Sequence, residues 1–351
     1  MERMQAPPKV SVCIPTYNYA DYIPFAIESV LHQNFADFEL IIQDDCSKDN
    51  TAEVVERYLS DRRLIFQTNE RNLGLAGNWN RCLSKARGEY IKFIFADDLL
   101  ASPDCLAKMV SVLDRDRSVS LVSSARNIID SDSRLMYVIS DFGRGSFTAD
   151  GHNIISYCLL RLTNFIGEPS AVMFRRADSG RGFSPRYAHA IDMEFWFHLL
   201  EKGRFVFIDE TLTSFRVHQR QKTKENVANL IHLSDPVLLL RDYIWRSYIH
   251  IGRALKYYFI IDTVYNRFWR PKKKRLMDRK TALKGIRVCF PVSEFFLVYP
   301  LYKLVKPFFK HFVKAKGLQD YKLEPSFLPL MERGLVFPDL SRDKSLRPRR
   351  D

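Results

Sequence analysis

Short runs of β-branched and aromatic residues alternate with stretches whose apolar positions recur every three or four residues, from Val10 to beyond Val119. Residues 10–14 read as a strand closed by Pro15. Asp21 as N-cap, with Pro24 in the first turn, opens a helix through Ile23, Ile27, Val30 and Leu31. Residues 38–42 form a second strand running into Asp44-Asp45, and Asn50 with Glu53 has the form of a capping box for a helix through Val54, Val55 and Leu59. A third strand at 64–67, a helix at 77–86 and the turn at Gly88 lead into Tyr90-Ile91-Lys92-Phe93-Ile94-Phe95-Ala96-Asp97-Asp98, an apolar strand halted by two carboxylates. A helix at 102–114 and a strand at 119–123 follow. Strands alternating with such helices predict an α/β fold with a doubly wound, mainly parallel central sheet flanked by helices.

The rhythm then loosens. Residues 130–151 contain turn residues without a clear period and predict a hairpin or a loop. A strand at 171–174, a helix at 192–202 and a strand at 204–208 ending in Asp209-Glu210 complete this part. Beyond about Thr223 the strand pattern stops and the chain turns helical, basic and aromatic. The expected organisation is a catalytic-type α/β domain at 1–223 and a mostly helical region at 224–351, with a tail from about residue 335.

At 351 residues and 46% hydrophobic, the chain buries one large core or a core with an appendage. Six cysteines are scattered without C-x-x-C or Cys/His zinc spacing, which argues against a disulfide framework and a zinc site. Residues 1–9 lack the apolar stretch of a signal peptide, so the expected location is the cytoplasm, at the inner face of the plasma membrane. The net charge of +13 is not spread evenly: residues 241–320 hold nineteen Lys and Arg against five acids. Basicity therefore belongs to one segment. No nucleic-acid reader motif accompanies it, which sets nucleic acid aside as a partner.

Ligands of open α/β sheets bind beyond the carboxyl ends of the strands, where Mg²⁺ or Mn²⁺ commonly takes one or two carboxylates together with phosphate oxygens. Asp97-Asp98 suits that role, or else caps the helix that follows. The first strand-to-helix turn, Pro15-Thr16-Tyr17-Asn18-Tyr19, has no glycine, and no G-x-x-x-x-G-K-[ST] occurs. Without an amide nest, diphosphate charge has to be met by a cation.

Val10-Ser11-Val12-Cys13-Ile14-Pro15-Thr16-Tyr17-Asn18, Asp44 to Thr51, Asn72-Leu73-Gly74, Ala86 to Ile91 and Asp97-Asp98, in that order, resemble the signature of family 2 glycosyltransferases with the GT-A fold. The resemblance covers roughly residues 8–220. It implies an inverting transferase that uses a nucleotide-sugar donor and Mn²⁺ or Mg²⁺. Pro15, Thr16, Tyr17 and Asn18 then line the nucleoside, and Asp45 accepts from the N–H of a uracil or thymine. Asn72 and Gly74 belong to the donor site, Asp97 contacts ribose or metal, and Asp98 coordinates the metal. Relatives often carry a further acid two positions before Asp97, where this chain has Phe95. Asp192 matches the general base at the start of a helix, with Glu194 as runner-up on a face about 200° away; Asp192 as a plain N-cap is the alternative. Arg216 and His218 resemble a segment that pairs with diphosphate and completes a metal shell. Glu168, in the loop before the 171–174 strand, is placed to face the sugar or the acceptor, or else belongs to a turn.

The 241–316 segment interleaves Tyr, Trp and Phe with Lys and Arg, and prolines interrupt its longest apolar run. A spanning helix is excluded, and a helical surface for an anionic membrane is expected, suited to a glycan or lipid-linked acceptor. The alternative is a subdomain packed on the sheet with a solvated basic face. Two other functions compete with transfer: a catalytically silent sugar-nucleotide-binding homologue, and a sugar nucleotidyltransferase, whose glycine-rich N-terminal loop is missing here.

Overall fold

The structure is a computed structural model that describes residues 6–143, 145–219, 221, 231–274 and 277–315. The first half of the chain alternates β1 (Val10–Thr16), α1 (Ile23–Leu31), β2 (Phe38–Asp44), α2 (Thr51–Glu56), β3 (Leu64–Thr68), α3 (Gly74–Lys85) and β4 (Tyr90–Phe93). These four strands lie parallel in the order β3-β2-β1-β4. β1, β2 and β4 are buried along their whole length, as parallel strands covered on both sides are, while β3 at the sheet edge is buried only at Leu64.

The second half adds β5 (Leu99–Leu100), α4 (Cys105–Arg115), β6 (Val119–Ile129), β7 (Leu135–Ile139), β8 (Phe147–Asp150), α5 (Gly151–Arg161), β9 (Val172–Arg175), α6 (Ile191–Leu200) and β10 (Arg204–Arg216). The sheet continues β4-β9-β6-β10-β5, with β7 on β6 and β8 on β10. Only β6 and β10 pair in parallel here, so the sheet is parallel in its first half and mixed in its second. The loosely patterned 130–151 stretch resolves into β7, hairpinned onto β6, and β8.

Several local expectations shift by a few residues, each for a physical reason. Pro15 does not end β1: it pairs only with β2, because β4 reaches no further than Cys13, so no ladder donor is lost. Helix α1 starts at Ile23 without a side-chain cap from Asp21, and Asn50 makes no capping bond. Asp49 does that work for α2, accepting from Thr51 N at 3.1 Å and from Ala20 N at 3.1 Å across the loop. Leu99-Leu100 leaves the expected loop to pair with Thr213 and Ser214, and α4 therefore begins only at Cys105.

Beyond the sheet come α7 (Ile231–Tyr243) and α8 (Arg253–Val264), the latter continuing through a π-helical turn (Tyr265–Trp269) into α9 (Arg270–Lys273). Helices α10 (Arg279–Cys289) and α11 (Val292–Ala315) follow. Leu238, Leu239 and Leu240 of α7 bury in the same core as the sheet and α6. Helices α8, α10 and α11 enclose a second apolar cluster around Val264, Phe268, Ile286 and Phe295. The helical region is thus anchored by α7 and otherwise builds its own core. The expected tail from about 335 lies outside the described residues.

Candidate active site

A cleft of about 1050 Å³ opens beyond the carboxyl ends of β1, β2 and β4, where the parallel strands deliver their loops. The β1 and β2 loops are tied together. Asn18 N donates to Ser47 Oγ at 2.8 Å and Lys48 N donates to Asn18 Oδ1 at 2.7 Å. Asn18 and Cys46 both adopt left-handed backbone, φ 59° and 64°, which these cross-links hold in place. Pro15, Thr16 and Asn18 line the cleft, and Tyr17 stands at its rim, 38% exposed, with a ring free to stack. Thr16 Oγ is buried there without a hydrogen-bond partner among the described residues.

Asp45 is buried and lines the cleft, but its carboxylate already holds three donors: Asn69 Nδ2 at 2.8 Å, Leu73 N at 2.7 Å and Gly74 N at 2.9 Å. It caps α3 from a distant loop, which is why that helix begins at Gly74 and not at the expected residue 77. Gly74 takes φ +73°, a conformation that costs any other residue about 1–3 kcal/mol. Asn72 Nδ2 completes the turn by donating to Asp45 O at 3.1 Å. Only Oδ2 of Asp45, with one donor, keeps spare capacity towards the cleft.

The adjacent acids part company. Asp97 lines the cleft, whereas Asp98 is fully buried and turned inward, its Oδ1 accepting from Arg216 N at 2.9 Å and its Oδ2 from Ser170 Oγ at 2.5 Å. Burial, and then the Asp97 charge, pushes the Asp98 carboxyl well above its ordinary range. The metal-ligand role expected of Asp98 is therefore not offered by its position. Arg216, expected to face diphosphate, is also buried away from the cleft. Its Nε donates to Asp97 O at 2.8 Å and its Nη1 to Ser133 Oγ at 2.7 Å, so it braces the loop that presents Asp97. His218 does reach the acid: its Nε2 lies 3.0 Å from Asp97 Oδ2, with the ring packed 4.7 Å from Tyr22. Arg220, Lys222 and Thr223 of the same segment lie outside the described residues.

Phe95, at the position where an acid was looked for, stacks on Trp79 with centroids 4.9 Å apart, and the two make an apolar wall of the cleft. Across from it stands Asp192, near the start of α6. Met193 N donates to its Oδ1 at 2.8 Å and Asn164 Nδ2 to its Oδ2 at 3.1 Å. Burial pushes its carboxyl up to about 7, with the charge of Glu168 acting in the same direction and the two hydrogen bonds against it. Glu168 also lines the cleft, held by Arg126 Nε at 2.5 Å. Glu194 points to the other face of α6, where Arg181 binds it at 2.8 and 2.9 Å and Tyr243 Oη donates at 2.9 Å. The runner-up base is thereby accounted for as a buried ion pair.

Three residues that sequence reasoning passed over shape the site. Trp79 was hidden inside an amphipathic helix. Asn164 gave no motif, yet it orients Asp192 and closes the Gly167 turn by donating to Gly167 O at 3.1 Å. Asp235, on α7 in the region read as a separate appendage, accepts from three consecutive backbone amides, Ala188 N at 2.7 Å, His189 N at 2.6 Å and Ala190 N at 3.2 Å. That loop leads directly into Asp192.

Among the described residues no group of three or more His, Cys, Asp or Glu is arranged to hold a metal by itself. Asp97 lines the cleft with the buried His218 ring behind it, Nε2 against its carboxylate, and one such carboxylate fits a hard divalent ion whose remaining ligands are phosphate oxygens and water.

The site is thus a cleft at the carboxyl end of an open α/β sheet, with a glycine-free first turn and a lining that includes Asp45, Asp97, Glu168 and Asp192. The Glycosyl transferase family 2 profile matches residues 11–183. The uncharacterized protein MT1568 of Mycobacterium tuberculosis is 34% identical over 217 residues, 59% of this chain and 67% of that one. TuaG of Bacillus subtilis, a putative teichuronic acid biosynthesis glycosyltransferase, is 29% identical over 60% of this chain and 79% of its own. Among solved structures, S. aureus TarS 1–349 in complex with UDP-GlcNAc shares the fold at TM-score 0.59 and 20% identity, covering 89% of each chain. The mannosyltransferase PcManGT of Pyrobaculum calidifontis, in complex with GDP-Man and Mn²⁺, superposes at TM-score 0.53 and 18% identity, over 95% of this chain and 88% of that one. This chain belongs to glycosyltransferase family 2.

Proposed function

We propose that the protein is an inverting glycosyltransferase that moves a sugar from a UDP- or dTDP-sugar to a hydroxyl of a glycan or lipid-linked glycan in the biosynthesis of a surface polysaccharide. One observation carries this reading: Asp192, with its carboxyl near pH 7, opens onto the same cleft as Asp45 and Asp97. A silent binding homologue would have no use for a base across from the donor acids. Thr16 and Asp45 Oδ2 offer polar partners to a base, Tyr17 offers a stacking face, and the Trp79–Phe95 wall excludes water beside the sugar. Asp97, with His218 against its carboxylate, would hold Mn²⁺ or Mg²⁺, which would neutralise charge on the departing diphosphate. Asp192 takes the acceptor proton as that oxygen attacks, and Asn164 fixes the direction in which the carboxylate points. The TarS complex with UDP-GlcNAc supports a uridine donor, and the likeness to TuaG supports a surface-glycan product.

The direct test is turnover of a panel of nucleotide sugars with Mn²⁺, read as release of nucleoside diphosphate and capture of the sugar by an added glycan. Release from none of them would contradict the proposal. Because only the ionised carboxylate accepts a proton, kcat/KM should climb about tenfold per pH unit below the Asp192 value of about 7 and level off above it. A flat profile between about pH 5 and 8 would remove Asp192 as the titrating base.

Asp235 supplies a further test. Asp235→Ala leaves three amides of the 188–190 loop without their acceptor. Turnover should fall about tenfold or more through misplacement of Asp192, with donor affinity unchanged. Asp235→Asn, which keeps a carbonyl acceptor, should recover part of it. Equal loss of donor affinity in both variants would show that Asp235 serves the fold as a whole.

A further inference from the structure

Helix α11 is apolar on two opposite faces. One face is packed: Tyr302 Oη donates to Asp262 of α8 at 2.6 Å, Tyr258 stacks on Phe309 at 5.0 Å, and Phe295 is buried against Trp269. The other face carries Leu297, Leu301, Leu304 and Phe308, exposed by 80, 62, 78 and 70%. Their spacing of four, three and four residues confines them to an arc of about 60°. A soluble helix normally leaves such a face polar, and one that is apolar all round is covered all round.

The charge beside this stripe indicates what covers it. Lys303 is exposed on the same helix, and Lys273 of α9 reaches across to donate to Tyr299 Oη at 2.7 Å. Lys272 lies 5.0 Å over the Trp269 ring, which meets Phe296 of α11 at 4.9 Å. The described part of α11 opposes these cations with one acid, Glu294. The cations and the Trp269–Phe296 pair stand to one side of the stripe, Lys303 about 100° round the helix from Leu304, an arrangement that matches a helix half-sunk in a bilayer interface with anionic headgroups. Among the described residues no single helix is long and apolar enough to cross a membrane; α10 and α11 reach that length and composition only together, across a bend of 96°. Pro300 and Pro307 interrupt α11 itself.

We propose that α11 lies along an anionic bilayer surface, with Leu297, Leu301, Leu304 and Phe308 inserted among the lipids and Lys303, Lys272 and Lys273 at the phosphates. The surface is independent of the transferase reading and stands if that reading fails.

The test is flotation of the full chain with vesicles of phosphatidylcholine alone and of phosphatidylcholine containing phosphatidylglycerol, at low and high salt. Wild type should float with the anionic vesicles, less so at high salt. A Leu301→Glu, Leu304→Glu double variant with an unchanged melting temperature should lose at least about tenfold in partitioning. Lys303→Glu with Lys273→Glu should weaken binding by a smaller factor and flatten its salt dependence. Absence of flotation at low salt would overturn the proposal, as would flotation that the leucine substitutions leave intact. A wild-type dimer that the same substitutions turn into a monomer, without vesicle binding, would assign the face to a second copy instead and would also overturn it.

Discussion

Asp192→Asn is expected to reduce transfer by about 10³- to 10⁴-fold while leaving donor binding within a factor of about two. The amide has the shape of the carboxylate and its oxygen keeps one of the two local donors, Met193 N or Asn164 Nδ2. What it lacks is the capacity to take a proton. Calorimetric titration of nucleotide into the variant, beside a turnover assay, separates the two quantities; near wild-type turnover would remove Asp192 from the role. The substitution should also change stability in a pH-dependent way. In the folded chain this carboxyl ionises at about 7 against an ordinary value of 3.8, so between those values the folded state holds a proton that the unfolded chain has released. The contribution of the group to stability is present in acid and is lost as pH rises through 7. The melting temperature of Asp192→Asn relative to wild type should therefore rise between about pH 5 and pH 8.

The second large effect belongs to Asp97. Asp97→Asn should cut kcat/KM by about 10²- to 10³-fold and raise the Mn²⁺ concentration needed for half-maximal activity, because the one carboxylate of the 97–98 pair that lines the cleft is then lost. Asp98→Asn should behave differently, although it is the next residue. Its carboxylate is interior, bonded to Ser170 and to the Arg216 backbone, and Lys92 of β4 sits in the same buried layer, donating to Ser170 O and Val172 O. The Asp98 variant should lose thermal stability, by about 1–3 kcal/mol, while its Mn²⁺ requirement stays near that of wild type. A reversed pattern, with the metal response lost at 98 and kept at 97, would exchange the two roles.

The contrast between these neighbours shows how far the sequence was legible. The parallel half of the sheet could be read because β1, β2 and β4 are buried on both faces, which writes each of them as a mostly apolar run, broken by Ser11, Glu39 and Lys92. The mixed half was harder: β10 runs unbroken to Arg216 only through register shifts near Ile208 and Thr211, so the polar Asp209-Glu210 pair looked like a strand end. Asp209 instead accepts from Ser140 Oγ at 2.8 Å, part of a tertiary contact that no local pattern announces. In the site, Asp45, Asp97, Asp192 and His218 were singled out through the resemblance to family 2 glycosyltransferases, and the fold brings the three acids to one cleft. Which of two adjacent acids faces the cleft depends on the turn after β4, where Asp98 N donates to Phe95 O at 3.0 Å, and residue type does not encode that. Asn164 reaches Asp192 across 28 positions and Asp235 reaches the Ala188 amide across 47, contacts that exist only once the chain has folded.

Crystals soaked with UDP and Mn²⁺ would report on the cleft directly. The expected result is the ion bonded to the Asp97 carboxylate and to both phosphates, the uracil beside Tyr17 and Asp45, and the Asp192 carboxylate facing the vacated sugar position. An ion bound elsewhere, or a nucleotide seated outside the cleft that Asp45, Asp97 and Asp192 share, would contradict it.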